Sequence, residues 1–250
     1  MTPALDGKRA LVTGGAGGIG RAIALALAAE GAVVAIADVA PAETIEAVVD
    51  AIANEGGHAV AVQADVADQA AVLALFEAVQ DHLGGLDILV NNAGILIEKP
   101  LLETTLEDFD RLIGVNLRGA FLVGREALRS MTRQGSGRVI NIASELAYLG
   151  RANCSVYCAS KGGILAMTRS WAREFAPDIL VNAIAPGPTD TAMLGPASTS
   201  PETLAKEAEI PLRRIGRPEE IAAVAVFLAG AGASFMTGQC VSPNGGAVMF

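Results

Sequence analysis

Tyr157 and Lys161 stand four residues apart, thirteen residues beyond Ser144. On a helix, residues four apart share one face. A lysine ammonium beside a phenol favours the phenolate, which would draw the tyrosine pKa down from about 10. A general acid or base works best with a pKa near the operating pH. Tyr157 is therefore expected to take a proton from an alcohol or return one to a carbonyl oxygen. Hydride transfer to a carbonyl develops negative charge on oxygen, and two hydroxyl donors, Ser144 and Tyr157, would stabilise it. The bland alternatives are a strand-end hydroxyl capping the next segment for Ser144 and an ordinary helix pair for Tyr157 and Lys161.

The start of the chain supplies what such chemistry needs. Arg9–Thr13 reads as a short buried strand, followed by the run Gly14-Gly15-Ala16-Gly17-Gly18-Ile19-Gly20 and an Ala/Leu-rich helix. Glycines at a strand-to-helix turn let the backbone approach a pyrophosphate, and the helix N-terminus offers it unpaired N–H groups. The next strand, Val33–Ala37, is apolar and ends at Asp38, eighteen residues after Gly20. An acidic side chain there can accept hydrogen bonds from the adenosine ribose hydroxyls and would repel a 2′-phosphate. No arginine occupies the glycine loop or directly follows Asp38. The expected cofactor is NAD(H) rather than NADP(H).

Strands alternate with helices along the whole chain. Helices are predicted over about 41–55, 69–83, 106–133 and 218–228, with another carrying Tyr157. Strands are predicted over 58–63, 86–90, 137–144, 179–184 and 239–242. This pattern predicts an α/β, doubly wound parallel sheet, a Rossmann fold, with helices on both faces. The 250 residues hold no linker, repeat or low-complexity tract, so residues 1–250 are expected to form a single domain. Asp38, Asp65, Asn91, Ser144 and Pro186 all fall at or just after strand ends, the rim where such sheets bind ligands.

Composition narrows the partners. The formal net charge is −9 and the pI about 4.8, which disfavours nucleic acid or an anionic membrane. Hydrophobic residues make up 52%, yet no apolar run reaches transmembrane length. Residues 1–8 lack a basic segment followed by an apolar stretch, so no signal peptide is expected and the cytoplasm is the expected location. Cys154, Cys158 and Cys240 show no metal-ligand spacing and read as small hydrophobes. His58 and His82 lie in polar segments, so neither a metal site nor histidine catalysis is expected.

The motifs together resemble the short-chain dehydrogenase/reductase family over essentially the whole chain. The matching pieces are Thr13 to Gly20, Asp65-Val66, Asn91 to Gly94, Asn116, Ser144, Tyr157 with Lys161, and Pro186-Gly187 with Thr189 and Thr191. The resemblance implies that Ser144 holds the substrate oxygen, Tyr157 exchanges the proton, and Lys161 holds the nicotinamide ribose. It implies that Asn116 keeps a water that relays protons. Asp65 and Val66 would flank the adenine, and Asn91, Ala93 and Gly94 would shape the turn under the ribose. Gly14, Gly17, Gly18, Ile19 and Gly20 would hold the pyrophosphate, and Pro186, Gly187, Thr189 and Thr191 the carboxamide end. Many members are tetramers, so a homotetramer is expected. Departures are small: Cys158 follows the tyrosine where a small residue is usual, and Pro188 stiffens the following loop.

Loops after the fourth, fifth and sixth strands should line the substrate pocket, with Leu96, Glu145, Leu146, Arg151 and Met193 as its candidates. Mostly apolar walls suggest a ketone or secondary alcohol with a hydrophobic body. Glu145 and Arg151 could read polar substituents; solvated rim charges are the simpler expectation. A segment of approximately 190–212, rich in Ser, Thr, Pro and Glu, is expected to act as a flexible substrate lid. Three readings follow: an NAD-dependent secondary-alcohol dehydrogenase, a 3-oxoacyl-thioester reductase, and a non-catalytic dinucleotide-binding regulatory protein.

Overall fold

The computed structural model describes residues 4–194 and 200–249. Seven parallel strands form one sheet in the order β3-β2-β1-β4-β5-β6-β7. They are β1 (Arg9–Thr13), β2 (Val33–Asp38), β3 (His58–Gln63), β4 (Ile88–Asn91), β5 (Gly137–Ile142), β6 (Ile179–Ile184) and β7 (Cys240–Val241). Central strands covered on both faces must be apolar throughout, and all six residues of β6 and all four of β4 are buried.

Alternate strand residues face opposite layers. Ala10 and Val12 pack with α1 (Gly18–Ala29), α2 (Ala42–Asn54) and α9 (Pro218–Ala229). Leu11 packs with α3 (Gln69–Leu83), α5 (Ala120–Gln134) and α7 (Ser155–Phe175). Strand β1 pairs with β2 on one side and β4 on the other. The winding direction reverses between those neighbours, which opens a crevice at the strands' carboxyl ends.

The predicted helix over 106–133 is divided. Helix α4 (Leu106–Ile113) runs into a π turn at Gly114–Gly119 before α5. The wider turn carries the buried Asn116 inward, and Gly119 lies close to Val66, where a Cβ would come within 2.9 Å of its Cγ2. Short helices not anticipated from the sequence are α6 (Leu146–Leu149) and α8 (Pro201–Glu207). Among the described residues no helix is long and apolar enough to cross a membrane, and no cluster of His, Cys, Asp or Glu is placed to hold a metal.

Candidate active site

A cleft of about 610 Å³ follows the β1–β4 crevice. Its floor is the glycine loop, where each glycine has its own constraint. Gly14 has φ +64°, and a Cβ on it would lie 2.9 Å from the Ala93 Cα. A Cβ on Gly20 would lie 2.1 Å from the Gly14 carbonyl oxygen. Gly17 is different: a Cβ there would meet nothing within 4 Å, so its backbone borders open cleft. Gly17 caps α1 without a side-chain hydrogen bond, leaving first-turn N–H groups for an anion. The cradle fits a dinucleotide pyrophosphate.

Side chains from the β4 turn hold the loop in place. Asn92 Nδ2 donates to the carbonyls of Thr13 (2.9 Å) and Gly14 (3.0 Å). The Thr13 hydroxyl accepts from the backbone N–H of Asn92 (3.0 Å) and Ala93 (3.1 Å). At the far end, the Asp38 carboxylate accepts from the N–H of Ala16 (2.9 Å) and Ala40 (3.0 Å). Asp38 thus stands fixed on the cleft wall beside Ala64, whose N–H donates to its carbonyl (2.8 Å), and Asp65 and Val66 line the cleft with it.

A second cavity, of about 150 Å³, adjoins the first and shares Ile19, Asn92, Gly94, Thr191 and Met193 with it. Ser144, Tyr157 and Lys161 all line it. Ser144 follows β5, and its Oγ accepts from the Leu146 N–H (3.2 Å), which leaves its proton to donate. Lys161 Nζ donates to the Ile142 carbonyl (2.8 Å) and lies 5.8 Å from the Tyr157 ring centroid. Behind them, Asn116 is locked to Ile95: Nδ2 donates to its carbonyl (2.9 Å) and Oδ1 accepts from its N–H (2.8 Å). Gly94 lies between Asn116 and Lys161, where a Cβ would come within 3.4 Å of Asn116 Oδ1 and 3.5 Å of Lys161 Nζ.

Electrostatics correct one expectation. Tyr157 is not drawn down by its lysine: burial pushes its hydroxyl up to about 12, against the pull of a Ser144 hydrogen bond. Burial also lowers Lys161 to about 8. Both groups are desolvated, and the ammonium is committed to the Ile142 carbonyl. Tyr157 therefore holds its proton at neutral pH.

Placement otherwise divides the sequence candidates clearly. Gly14, Gly17, Gly18, Ile19, Gly20, Asp38, Asp65, Val66, Ala93, Gly94 and Thr191 line the larger cleft. Pro186, Gly187, Thr189 and all five substrate candidates (Leu96, Glu145, Leu146, Arg151 and Met193) line the smaller cavity. Asn91 lines neither; its Nδ2 donates to the Ala120 carbonyl (2.7 Å) beneath the sheet. Asn92 stands along the cleft instead, and strand alternation at the Asn91-Asn92 pair was the signal for it. Glu207, from α8, is a cavity residue the sequence did not single out. The rim-charge expectation fails for Glu145, which is only 6% exposed.

The chain and its fold have close counterparts. A family model described as Enoyl-(Acyl carrier protein) reductase matches residues 14–248. A 3-oxoacyl-[acyl-carrier-protein] reductase of Aquifex aeolicus is 41% identical over 244 residues, covering 97% of this chain and 98% of that protein. A cis-4-hydroxycyclohexanecarboxylate dehydrogenase of Sinomonas cyclohexanicum is 41% identical over 250 residues, covering 98% of each. A short-chain type dehydrogenase/reductase from Mycobacterium marinum superposes with a TM-score of 0.92 at 37% identity, covering 98% of this chain and 96% of that one. The chain belongs to the short-chain dehydrogenase/reductase family and is an oxidoreductase working between hydroxyl and keto groups.

Proposed function

We propose that this protein is an NAD(H)-dependent dehydrogenase interconverting a small secondary alcohol and its ketone. The observation that carries the reading is the joining of the two cavities. Ser144, Tyr157 and Lys161 line a small cavity that adjoins the larger cleft floored by the glycine loop. Ser144 holds the substrate oxygen with its hydroxyl. Tyr157, protonated at neutral pH, gives its proton to that oxygen during reduction and recovers it during oxidation. Lys161 would hold the ribose of the nicotinamide, and Asn116, which lines neither cavity, stands behind it locked to Ile95. A nicotinamide bound in the cleft supplies the hydride chemistry. Asp38 supports NAD(H) over NADP(H), because a fixed carboxylate repels a phosphate on the ribose.

A screen of NAD and NADP against secondary alcohols, cyclic diols, sugars and 3-hydroxyacyl thioesters, read by nicotinamide absorbance, tests the reading. Turnover with NAD on small alcohols supports it; turnover confined to thioesters with NADPH would replace it. Similarity to the Aquifex protein favours that second reading. Against it, Arg151 at the cavity is already paired with Glu207, leaving little positive charge for a phosphate-bearing carrier. The set Ser144, Tyr157 and Lys161 argues against a purely regulatory binding protein.

The wider assignments belong to the same proposal. Helices α5 and α7 leave Phe121, Leu128, Trp171 and Phe175 around a surface cavity of about 510 Å³. That face suits a partner subunit and a D₂ homotetramer, so a monomeric mass in light scattering would contradict it. The lid over about 190–212 contains α8, capped by Ser200 and tied by Glu207 to Arg151; residues 195–199 lie outside the described residues. Hydrogen exchange in this segment should slow when cofactor and substrate bind. Three free thiols, Cys154, Cys158 and Cys240, suit the reducing cytoplasm.

A further inference from the structure

The small cavity holds a feature that the proton-transfer chemistry leaves unused. Glu145 follows Ser144 directly and is buried, yet its Oε2 meets no hydrogen-bond partner. A buried, unsatisfied carboxylate oxygen is costly and calls for an explanation. The group is held firmly. Its backbone N–H donates to the Pro186 carbonyl (3.0 Å). Oε2 stands against Gly187, where a Cβ would come within 2.9 Å of it. Both Glu145 and Gly187 are walls of the cavity that Ser144 and Tyr157 line.

We infer that Glu145 reads a second hydroxyl on the substrate, so that the preferred substrates are small diols or hydroxyketones with an otherwise apolar frame. This inference rests on the dehydrogenase reading above and names its substrate class. Ser144 and Glu145 line the same small cavity, so a hydroxyl held by Glu145 stays within a compact molecule's reach of the oxygen held by Ser144. A diol with hydroxyls on neighbouring or next-but-one carbons is the most compact molecule that meets both. Leu96, Leu146, Met193 and Leu194 give the cavity apolar wall beside these polar groups, and about 150 Å³ is room for a compact frame.

A hydroxyl fits this site better than a cation. Arg151 already lines the cavity, paired with Glu207 from α8, and would repel an ammonium. Burial and the nearby Glu207 push the Glu145 carboxyl up to about 7, with Arg151 pulling the other way. Both forms therefore coexist at neutral pH. A hydroxyl satisfies either, donating to the carboxylate or accepting from the acid.

The test compares cyclohexanol with the cis and trans isomers of cyclohexane-1,2-diol on the full chain. Turnover with NAD is measured beside binding to the protein–NADH complex by calorimetry. The wild type should favour one diol isomer over cyclohexanol by about tenfold or more, as expected for a hydrogen bond to a charged group. Glu145→Ala should reduce that diol-to-monool ratio about ten- to a hundredfold. Glu145→Gln, which keeps shape and an acceptor, should recover part of it and guards against a folding defect. A ratio within about threefold of wild type in both variants, or no binding of any probe, overturns the inference. Cyclohexanol turnover without diol preference would leave the dehydrogenase reading standing and sink this one. Glu145-dependent diol binding without turnover would do the reverse.

Discussion

Replacing Glu145 by Gln should change how stability depends on pH. Burial, and next the charge of Glu207, raise the Glu145 carboxyl from 4.5 to about 7, while Arg151 opposes them. Tyr157 also faces it, and a charged Glu145 helps keep that phenol protonated. Between those two pH values the folded chain binds more protons than the unfolded one. Stability then falls as pH rises through the window, and the full loss is in place above about pH 7. At about 1.36 kcal/mol per pH unit, the move from 4.5 to about 7 is worth about 3 kcal/mol. Glutamine carries no such charge. The stability of Glu145→Gln relative to wild type should therefore climb from near zero at pH 4.5 to about 3 kcal/mol at pH 8. For a chain of this size that is a difference of roughly 6–12 °C in Tm, readable by scanning fluorimetry across pH. Melting curves of the two proteins that stay parallel from pH 4.5 to 8 would refute the buried-carboxylate argument.

Other substitutions probe the remaining walls. Gly17→Ala should leave the melting temperature nearly unchanged, since a Cβ there meets nothing within 4 Å, yet weaken NADH binding by fluorescence titration. Gly20→Ala should destabilise the fold by about 1–3 kcal/mol or more through overpacking, because its Cβ would lie 2.1 Å from the Gly14 oxygen; an unperturbed Tm would contradict the packing. Asp38→Ser should narrow the ratio of kcat/KM for NAD over NADP, and an unchanged ratio would mean the ribose lies elsewhere. Asn91→Leu should cost about 1–3 kcal/mol in denaturant unfolding by orphaning the Ala120 carbonyl, with little effect on cofactor affinity.

Much of this architecture was legible in the sequence because its signals are local. Apolar runs gave β1, β3 and β6 their bounds, and strand-to-helix glycines marked the cleft. Residues whose roles depend on neighbours distant in the chain were harder to read. The π turn at Gly114–Gly119 carries no sequence period of its own; it follows from Asn116 reaching Ile95. Asn91 and Asn92 look equivalent until the pleat sends one beneath the sheet and the other along the cleft. Glu145 resembles a rim charge at a strand end, and only the closing of the β6 loop over it through Pro186 and Gly187 shows it buried. The tyrosine's proton affinity went the other way from expectation, because spacing reports that Lys161 is near but not that both groups are dry.

The central claim is that Tyr157 exchanges the proton during NAD-linked alcohol oxidation. Initial rates of nicotinamide reduction should be compared for wild type and Tyr157→Phe on the best alcohol from the screen, with NADH binding checked in both. A loss of about 10²–10⁴ in kcat with cofactor binding retained is the predicted result. A variant that turns over within a few fold of wild type would contradict the account.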